Sequence, residues 1–259
     1  MASPPTRRRD PEIESGSWRA GEVAQSWRRP WRTVGRGIAA SAAIAFAAVA
    51  HAWMTLPDVR PLAADNPSST AFMRVRAEEA SRAGRTLRIR HYWVSDDRIA
   101  SPLKRAVLVT EDSRFWQHDG VDYEELRISL QQDWAEGRIV RGASTITQQL
   151  ARNLYLSPAR SPGRKFVELL LARRLEVALT KRRIFEIYLN VIEWGDGIFG
   201  VEAASRAYFG VSAGELSASQ AALLAGAIAS PRTSNPARPS ARLRQRQQLI
   251  LQRMGDVGK

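Results

Sequence analysis

One uncharged stretch near the N-terminus constrains this chain more than any other feature. Residues 37–56 read GIAASAAIAFAAVAHAWMTL and contain no Asp, Glu, Lys or Arg. Twenty helical residues span about 30 Å, the thickness of a hydrocarbon core. We therefore predict a single membrane-spanning helix. Two alternatives stay open: a cleaved signal peptide, because Ala50-His51-Ala52 resembles a small-x-small cleavage site, and a buried core helix, because the stretch is rich in alanine.

The charges around this stretch predict its orientation. Arg28, Arg29, Arg32 and Arg36 precede it, whereas Asp58 and Arg60 follow it. Positive charge before a first membrane span favours a cytoplasmic N-terminus, so the bulk of the chain is expected outside the membrane. Residues 1–36 mix Pro, Ser, Gly and Arg with little apolar periodicity, and we predict a disordered cytoplasmic tail there. Residues 57–84 are predicted to be a linker with a membrane-proximal helix, and residues 85–259 a folded domain.

Composition narrows the kinds of partner and chemistry. The chain has 259 residues, 44% of them hydrophobic, which is enough for one large domain with its own core. It has no cysteine, and this excludes disulfides, thiolate metal sites and a cysteine nucleophile. A formal charge of +13 favours an anionic partner: nucleic acid, an anionic membrane or a phosphorylated substrate. An arginine-rich proteome would account for the same excess.

Hydrophobic periodicity predicts a mainly α domain with a minor strand element. Apolar and polar residues alternate over residues 87–93, which indicates one short strand. From Ser101 onward the signals are helical, with Ser101 predicted as a cap before Pro102 and Asp122 as the cap of another helix. Residues 164–180 have the highest apolar content, and we expect this helix to be buried on most of its surface.

Three polar clusters lie in or beside these helices. They are EDSRFWQHDG at residues 111–120, RGASTITQQ at residues 141–149 and RKFVE at residues 164–168. In the third cluster, helical spacing brings two cations and an acid close together on an apolar helix. Such groups are costly to bury as plain scaffold, so these clusters are the candidate site.

The three clusters, together with KRRIFEIYLN at residues 181–190 and GIFGVEAASRAYFG at residues 197–210, resemble the successive motifs of glycosyltransferase family 51. That family includes the glycosyltransferase modules of bifunctional penicillin-binding proteins and the monofunctional transglycosylases. The matches are collinear over roughly residues 100–230. Because no room is left for a transpeptidase domain, the chain resembles the monofunctional members. The resemblance implies a lysozyme-like, two-lobed, α-rich fold and a peptidoglycan glycosyltransferase that polymerises lipid II with inversion at the donor anomeric carbon.

The resemblance also implies two catalytic glutamates. It places Glu111 as the base that takes the proton from the acceptor 4-hydroxyl. An inverting glycosidase would need a second carboxyl as a general acid, but a lipid pyrophosphate leaves as a stabilised anion and needs positive charge instead. We therefore interpret Glu168 as an orienting, metal-associated or electrostatic partner.

The remaining motif residues supply candidate substrate contacts. These are Asp112, Phe115, Ser144, Thr145, Gln148, Gln149, Arg152, Arg160, Arg164 and Lys165. The four cations among them are candidates for a pyrophosphate clamp, although family members often carry lysine where Arg152 stands. The alternative is that the cations are solvated surface residues and that the hydroxyl and amide groups cap a helix. A divalent cation, Mg²⁺ or Mn²⁺, is a candidate cofactor with unassigned ligands, and no organic cofactor is expected.

The expected partners are lipid II, the growing lipid-linked glycan strand and the inner membrane, with other cell-wall synthesis or division proteins as further candidates. The expected location is the inner membrane, with the catalytic domain in the periplasm. A lytic transglycosylase or lysozyme-like hydrolase is the alternative function, and a tethered scaffold with an inactive domain is a second one. Nucleic-acid binding would explain the charge, but no recognisable motif accompanies it, so no nucleic-acid partner is expected.

Overall fold

The computed structural model describes residues 20–136, 144–158 and 161–256. The chain divides into two units, Met1–Thr55 and Leu56–Lys259. The first unit contains α1 (Ala20–Thr55), in which Val34–Thr55 is long and apolar enough to cross a membrane, with a mean hydropathy of 1.6. None of that window is buried by protein, which argues against a core helix.

Helix α1 begins earlier than the sequence suggested. The prediction of a disordered tail is wrong for residues 20–36, which are helical, and residues 1–19 lie outside the described residues. Arg, Ala, Glu22 and Gln25 in this segment favour propagation of the helix from the apolar stretch, whereas Pro30 and two glycines oppose it.

The second unit contains the other elements described. The helices are α2 (Ala71–Arg82), α3 (Ser101–Glu111), α4 (Tyr123–Glu136), α5 (Ile146–Tyr155), α6 (Pro162–Ala178), α7 (Lys181–Val191), α8 (Val201–Phe209), α9 (Ala218–Ala227) and α10 (Ala241–Asp256). The strands are β1 (Arg90–His91), β2 (Glu193–Gly195) and β3 (Ile198–Phe199). The predicted fold class, mainly α with a minor strand element after one candidate transmembrane helix, is confirmed.

The three short strands form one sheet in the order β1-β3-β2, with β1 parallel and β2 antiparallel to β3. Gly197 makes the turn between β2 and β3 at a φ of +71°, where a Cβ would lie 2.8 Å from the Arg88 carbonyl oxygen. A glycine is therefore required at this turn.

The predicted linker is part of the folded unit. Val59, Met73 and Ala80 are 1%, 2% and 1% exposed, so residues 57–84 contribute to the core. The prediction of a linker there is wrong because Pro and polar residues obscured these few buried apolar positions. The membrane-proximal helix predicted within residues 57–84 corresponds to α2.

Side-chain caps fix where several helices begin. Thr145 accepts a hydrogen bond from the Gln148 backbone N–H and starts α5, and Asp122 accepts one from the Glu125 N–H and starts α4. The predicted Ser101 cap is wrong, because Ser101 is the first residue of α3 and Ala100 takes the capping position. These caps set the register of the helices that carry the polar clusters.

The main core lies where α5 packs against α6 and α7, and α3 packs against α9. Leu150, Leu171 and Leu175 are fully buried there. Within residues 164–180, Leu171, Ala172, Leu175 and Leu179 are buried, whereas Phe166 is 42% and Val177 is 72% exposed. The expected burial therefore holds for most of this helix but not for every apolar residue on it.

Candidate active site

The carboxylate of Glu111 is held in place by two neighbouring helices. Glu111 is the last residue of α3 and is partly buried. Its Oε2 accepts a hydrogen bond of 3.0 Å from Nε2 of Gln149 on α5. Gln149 Oε1 in turn accepts a 3.0 Å hydrogen bond from the hydroxyl of Tyr188 on α7. This chain of hydrogen bonds fixes the orientation of the carboxylate.

The environment of Glu111 suits a general base. Burial raises the pKa of the Glu111 carboxyl, while the hydrogen bond from Gln149 and the charges of Arg246 and Arg152 oppose the rise. A carboxylate whose pKa is raised holds a proton more strongly than an ordinary one, and so it is a better base while it is ionised.

Glu168 has a different environment, inside a cluster of polar side chains. It is 1% exposed, and its Oε1 accepts a 2.6 Å hydrogen bond from Lys165 Nζ. The same ammonium donates to Ser144 Oγ at 3.0 Å and to Gln148 Oε1 at 2.7 Å. Arg164 Nη1 lies 4.0 Å from Glu168 Oε2. Glu168 is therefore buried and paired with cations. This arrangement suits a residue that holds the positive charge of Lys165 in a fixed position.

A cavity of about 280 Å³ lies beside these residues. Gln149, Arg152 and Arg164 are among the residues that line it. The Nε atoms of both arginines are buried without a hydrogen-bond partner among the described residues. Two unsatisfied guanidinium donors beside a cavity suit an anion with several oxygens, such as a phosphate. Arg160, the fourth predicted clamp residue, lies outside the described residues.

Thr145 and Gln148, two predicted substrate contacts, point into the protein. They are 3% and 2% exposed, and both donate hydrogen bonds to the Gly120 carbonyl oxygen, at 2.7 Å and 3.2 Å. Their bonds tie the start of α5 to the turn after α3. Their polar atoms are used within the fold in this structure, and their contact with substrate stays a prediction.

Asp112 and Phe115 also lie inside the protein. Asp112 accepts hydrogen bonds from His118 Nε2 at 3.0 Å and from the Ile146 N–H at 3.0 Å. Phe115 is fully buried, and Lys181 Nζ lies 4.3 Å from its ring centroid. Both side chains support the loop that follows Glu111, and their contact with substrate stays a prediction.

A divalent cation has one candidate set of ligands among the described residues. Atoms of Asp112, His118 and Asp122 lie within 4.8 Å of one another. However, His118 already bonds Asp112, while Asp122 accepts the Glu125 N–H and faces Arg114 Nε at 3.4 Å. Because Mg²⁺ prefers free oxygen ligands and retains water, this occupied set beside a guanidinium does not fit it.

Two groups near Glu111 were missed by the sequence reasoning. Tyr188 is fully buried, as expected for an aromatic core residue, yet its hydroxyl orients Gln149. Arg246 of α10 acts on Glu111 through its charge. It lies outside the recognised motifs and far along the chain, so only the packing of α10 against α3 brings it close.

Comparisons with known proteins agree with this geometry. The model of the family described as Transglycosylase matches residues 76–255. A biosynthetic peptidoglycan transglycosylase of Thiobacillus denitrificans is 45% identical over 231 residues, which cover 89% of this chain and 98% of that protein. Proteins of the same name from Janthinobacterium sp. and Aromatoleum aromaticum are 47% and 50% identical, over 74% and 64% of this chain and 83% and 73% of their own lengths. The chain therefore belongs to the transglycosylase family.

Proposed function

We propose that this protein is a membrane-anchored peptidoglycan glycosyltransferase that polymerises lipid II into glycan strands and releases lipid pyrophosphate. One observation carries the proposal. Gln149 both holds the Glu111 carboxylate and lines the cavity at which Arg152 and Arg164 have unsatisfied guanidinium donors. A base and an anion site thus lie side by side, which is what transfer from a sugar pyrophosphate requires.

The chemistry follows from this placement. Glu111 takes the proton from the 4-hydroxyl of the acceptor sugar as that oxygen attacks the donor anomeric carbon. The bond from this carbon to the pyrophosphate oxygen breaks on the opposite face, so the configuration inverts. The electron pair leaves with the pyrophosphate, whose growing charge Arg152 and Arg164 neutralise. The proton on Glu111 then passes to solvent.

Glu168 acts through Lys165 in this scheme. The buried carboxylate holds the ammonium group in the same polar cluster as Ser144 and Gln148. A cation fixed beside the clamp adds to the positive potential at the leaving group without any proton transfer. Glu168 is therefore a positioning residue.

A hydrolase acting on peptidoglycan is disfavoured by the same geometry. An inverting glycosidase needs a protonated carboxyl to donate to the leaving oxygen. Glu168 is 1% exposed, and its Oε1 accepts a 2.6 Å hydrogen bond from Lys165 Nζ, so the carboxyl is engaged with an ammonium instead of facing a leaving oxygen. The relatives named above are biosynthetic enzymes, which points the same way.

The location is also part of the proposal. Helix α1 would anchor the chain in the inner membrane with the Leu56–Lys259 unit in the periplasm, where the growing lipid-linked strand lies. This rests on the apolar window Val34–Thr55 and on the arginines that precede it. Other cell-wall synthesis or division proteins would be partners there.

Polymerisation of purified lipid II in detergent tests the function. We expect polymer from the wild type, and for E111Q a fall in kcat of about 10²- to 10⁴-fold, because the base is lost. E124Q is the matched control, since Glu124 is an exposed acid paired with Arg127, and it should retain activity. Parallel reactions with and without Mg²⁺ or Mn²⁺ measure any metal dependence.

Two results would contradict the proposal: no polymer from the wild type, or undiminished polymer from E111Q. Incubation with finished glycan strands distinguishes a peptidoglycan hydrolase from a polymerising enzyme. Release of soluble fragments from those strands, without polymer from lipid II, would indicate a hydrolase.

A further inference from the structure

Glu193 is a buried acid outside the recognised site residues. It is the first residue of β2, and its side chain is 5% exposed. Its Oε2 accepts a 3.0 Å hydrogen bond from Arg76 Nε. Its Oε1 is buried and has no hydrogen-bond partner in the described part of the chain. An unsatisfied buried carboxylate oxygen is destabilising, so its position calls for a reason.

The position of Glu193 supplies one. Glu193 lines the same cavity of about 280 Å³ as Arg152 and Arg164. Within residues 20–136, 144–158 and 161–256, five buried side-chain atoms lack a hydrogen-bond partner, and three of them belong to these cavity residues. Two are guanidinium donors and one is a carboxylate acceptor. A ligand that satisfies all three must combine an anionic group with a nearby O–H or N–H donor.

Arg76 holds one oxygen of the Glu193 carboxylate, and the charge of Arg232 also favours its ionised form. Burial raises the pKa of the Glu193 carboxyl, and the charge and hydrogen bond of Arg76 oppose that rise. Arg76 is itself held by Glu79 through a 2.9 Å ion pair of Nη1 with Oε2. One oxygen of Glu193 is thus fixed by Arg76, and the other remains able to accept a hydrogen bond.

We infer that Glu193 is a specificity-determining residue that accepts a hydrogen bond from the sugar attached to the pyrophosphate. This rests on the proposed function, which places a glycosyl pyrophosphate in the cavity. The pyrophosphate satisfies Arg152 and Arg164, and a hydroxyl or acetamido N–H of the adjoining sugar satisfies Glu193. The lipid pyrophosphate product has no sugar and loses this contact. Glu193 therefore favours retention of the substrate over the spent carrier.

The variant E193Q tests this inference. A glutamine can still accept from Arg76 through its carbonyl oxygen, which leaves an NH₂ donor where the acceptor oxygen was. We expect the KM for lipid II to rise by about tenfold, as for one lost hydrogen bond to a charged group. We expect kcat to stay within about twofold, and inhibition by lipid pyrophosphate without sugar to be unchanged.

The matched control is E79Q. Glu79 is the other carboxylate paired with Arg76, and it does not line the cavity. If the effect of E193Q came only from a disturbed Arg76, E79Q would raise KM equally. We expect E79Q to resemble the wild type. Melting curves establish that both variants fold, and E193D, which keeps the charge but withdraws it by one methylene, should raise KM if E193Q does not fold.

Three outcomes would overturn the inference. They are an unchanged KM in the Glu193 variant, an equal rise in E79Q, or an equal loss of affinity for lipid pyrophosphate. Failure of the proposed function looks different, because the wild type itself would then make no polymer. A normal wild type with a normal Glu193 variant rejects this inference alone.

Discussion

At the scale of single residues, the pKa of the Glu111 carboxyl is set by opposing influences. Burial raises its pKa, and the Gln149 hydrogen bond is the largest influence that lowers it. The base works only when ionised, so kcat/KM must fall as pH decreases through the raised pKa. Gln149 therefore extends the working range of the enzyme toward lower pH by stabilising the carboxylate.

Replacing Gln149 tests this account of the base. Q149L removes the donor to Glu111 and retains similar volume. The pKa of Glu111 should then rise further, because the ionised form loses its hydrogen bond. We expect the acidic limb of the kcat/KM profile to move to higher pH, with a greater loss of rate at pH 6 than at pH 8. Y188F removes the hydrogen bond from Tyr188 to Gln149 but keeps the glutamine. It should therefore move the acidic limb in the same direction by a smaller amount. A limb that stays in place or moves to lower pH would contradict this role.

At the scale of secondary-structure elements, Lys165 joins the start of α6 to the start of α5. Its ammonium contacts Ser144, Gln148 and Glu168. Glu168 is 1% exposed, whereas the Lys165 side chain is 43% exposed and Arg164 Nη1 lies 4.0 Å from the same carboxylate, so the pair is only partly buried. Removing one member of a buried pair leaves an uncompensated charge, whereas removing both members does not.

A double-mutant cycle tests this dependence. K165M should lower the free energy of unfolding by about 1–2 kcal/mol, less than for a fully buried pair because Lys165 is 43% exposed and Arg164 remains near Glu168, and K165M/E168M should recover most of that loss. Urea unfolding provides the measurement. R127M, which breaks an exposed pair with Glu124, is the control and should cost less than about 1 kcal/mol. Additive losses in the double variant would show that Glu168 does not depend on Lys165.

The sequence predicted those contacts that follow from local spacing or from the motifs. Lys165 and Glu168 are three residues apart on one helix, so their pairing could be expected. The sequence could not show which polar motif residues face inward. Thr145 and Gln148 bond the carbonyl of Gly120, a backbone group that no side-chain pattern reveals.

The features that the sequence did not predict join residues far apart in the chain or involve strands of very few residues. Arg76 and Glu193 are 117 residues apart, and neither lies in a recognised polar cluster. Strands β2 and β3 have three and two residues, too few for an alternation to be detected, whereas β1 lies within the predicted strand over residues 87–93. The early start of α1 was missed because composition was taken as evidence of disorder, although the residues themselves permit helix.

At the scale of the whole molecule, the two units have different requirements for stability. The buried hydrophobic residues of the described chain begin at Val59, so the Leu56–Lys259 unit contains its own core. The Val34–Thr55 window has no protein core to cover it. A mainly apolar helix of 22 residues that protein leaves uncovered needs another apolar environment, which a bilayer supplies.

Deleting residues 1–55 tests both parts of this argument. The shortened chain should unfold in urea with an unchanged midpoint, because it keeps the whole described core. It should be extracted from membranes by alkaline carbonate, whereas the full chain should resist extraction. Rates with lipid II in detergent should be similar for both chains, since Glu111 and the cavity residues lie in the second unit. Rates with lipid II in vesicles should fall for the shortened chain, which is no longer concentrated at the substrate. A full chain that carbonate extracts, and whose mass shows a new N-terminus near residue 53, would instead indicate a cleaved signal peptide.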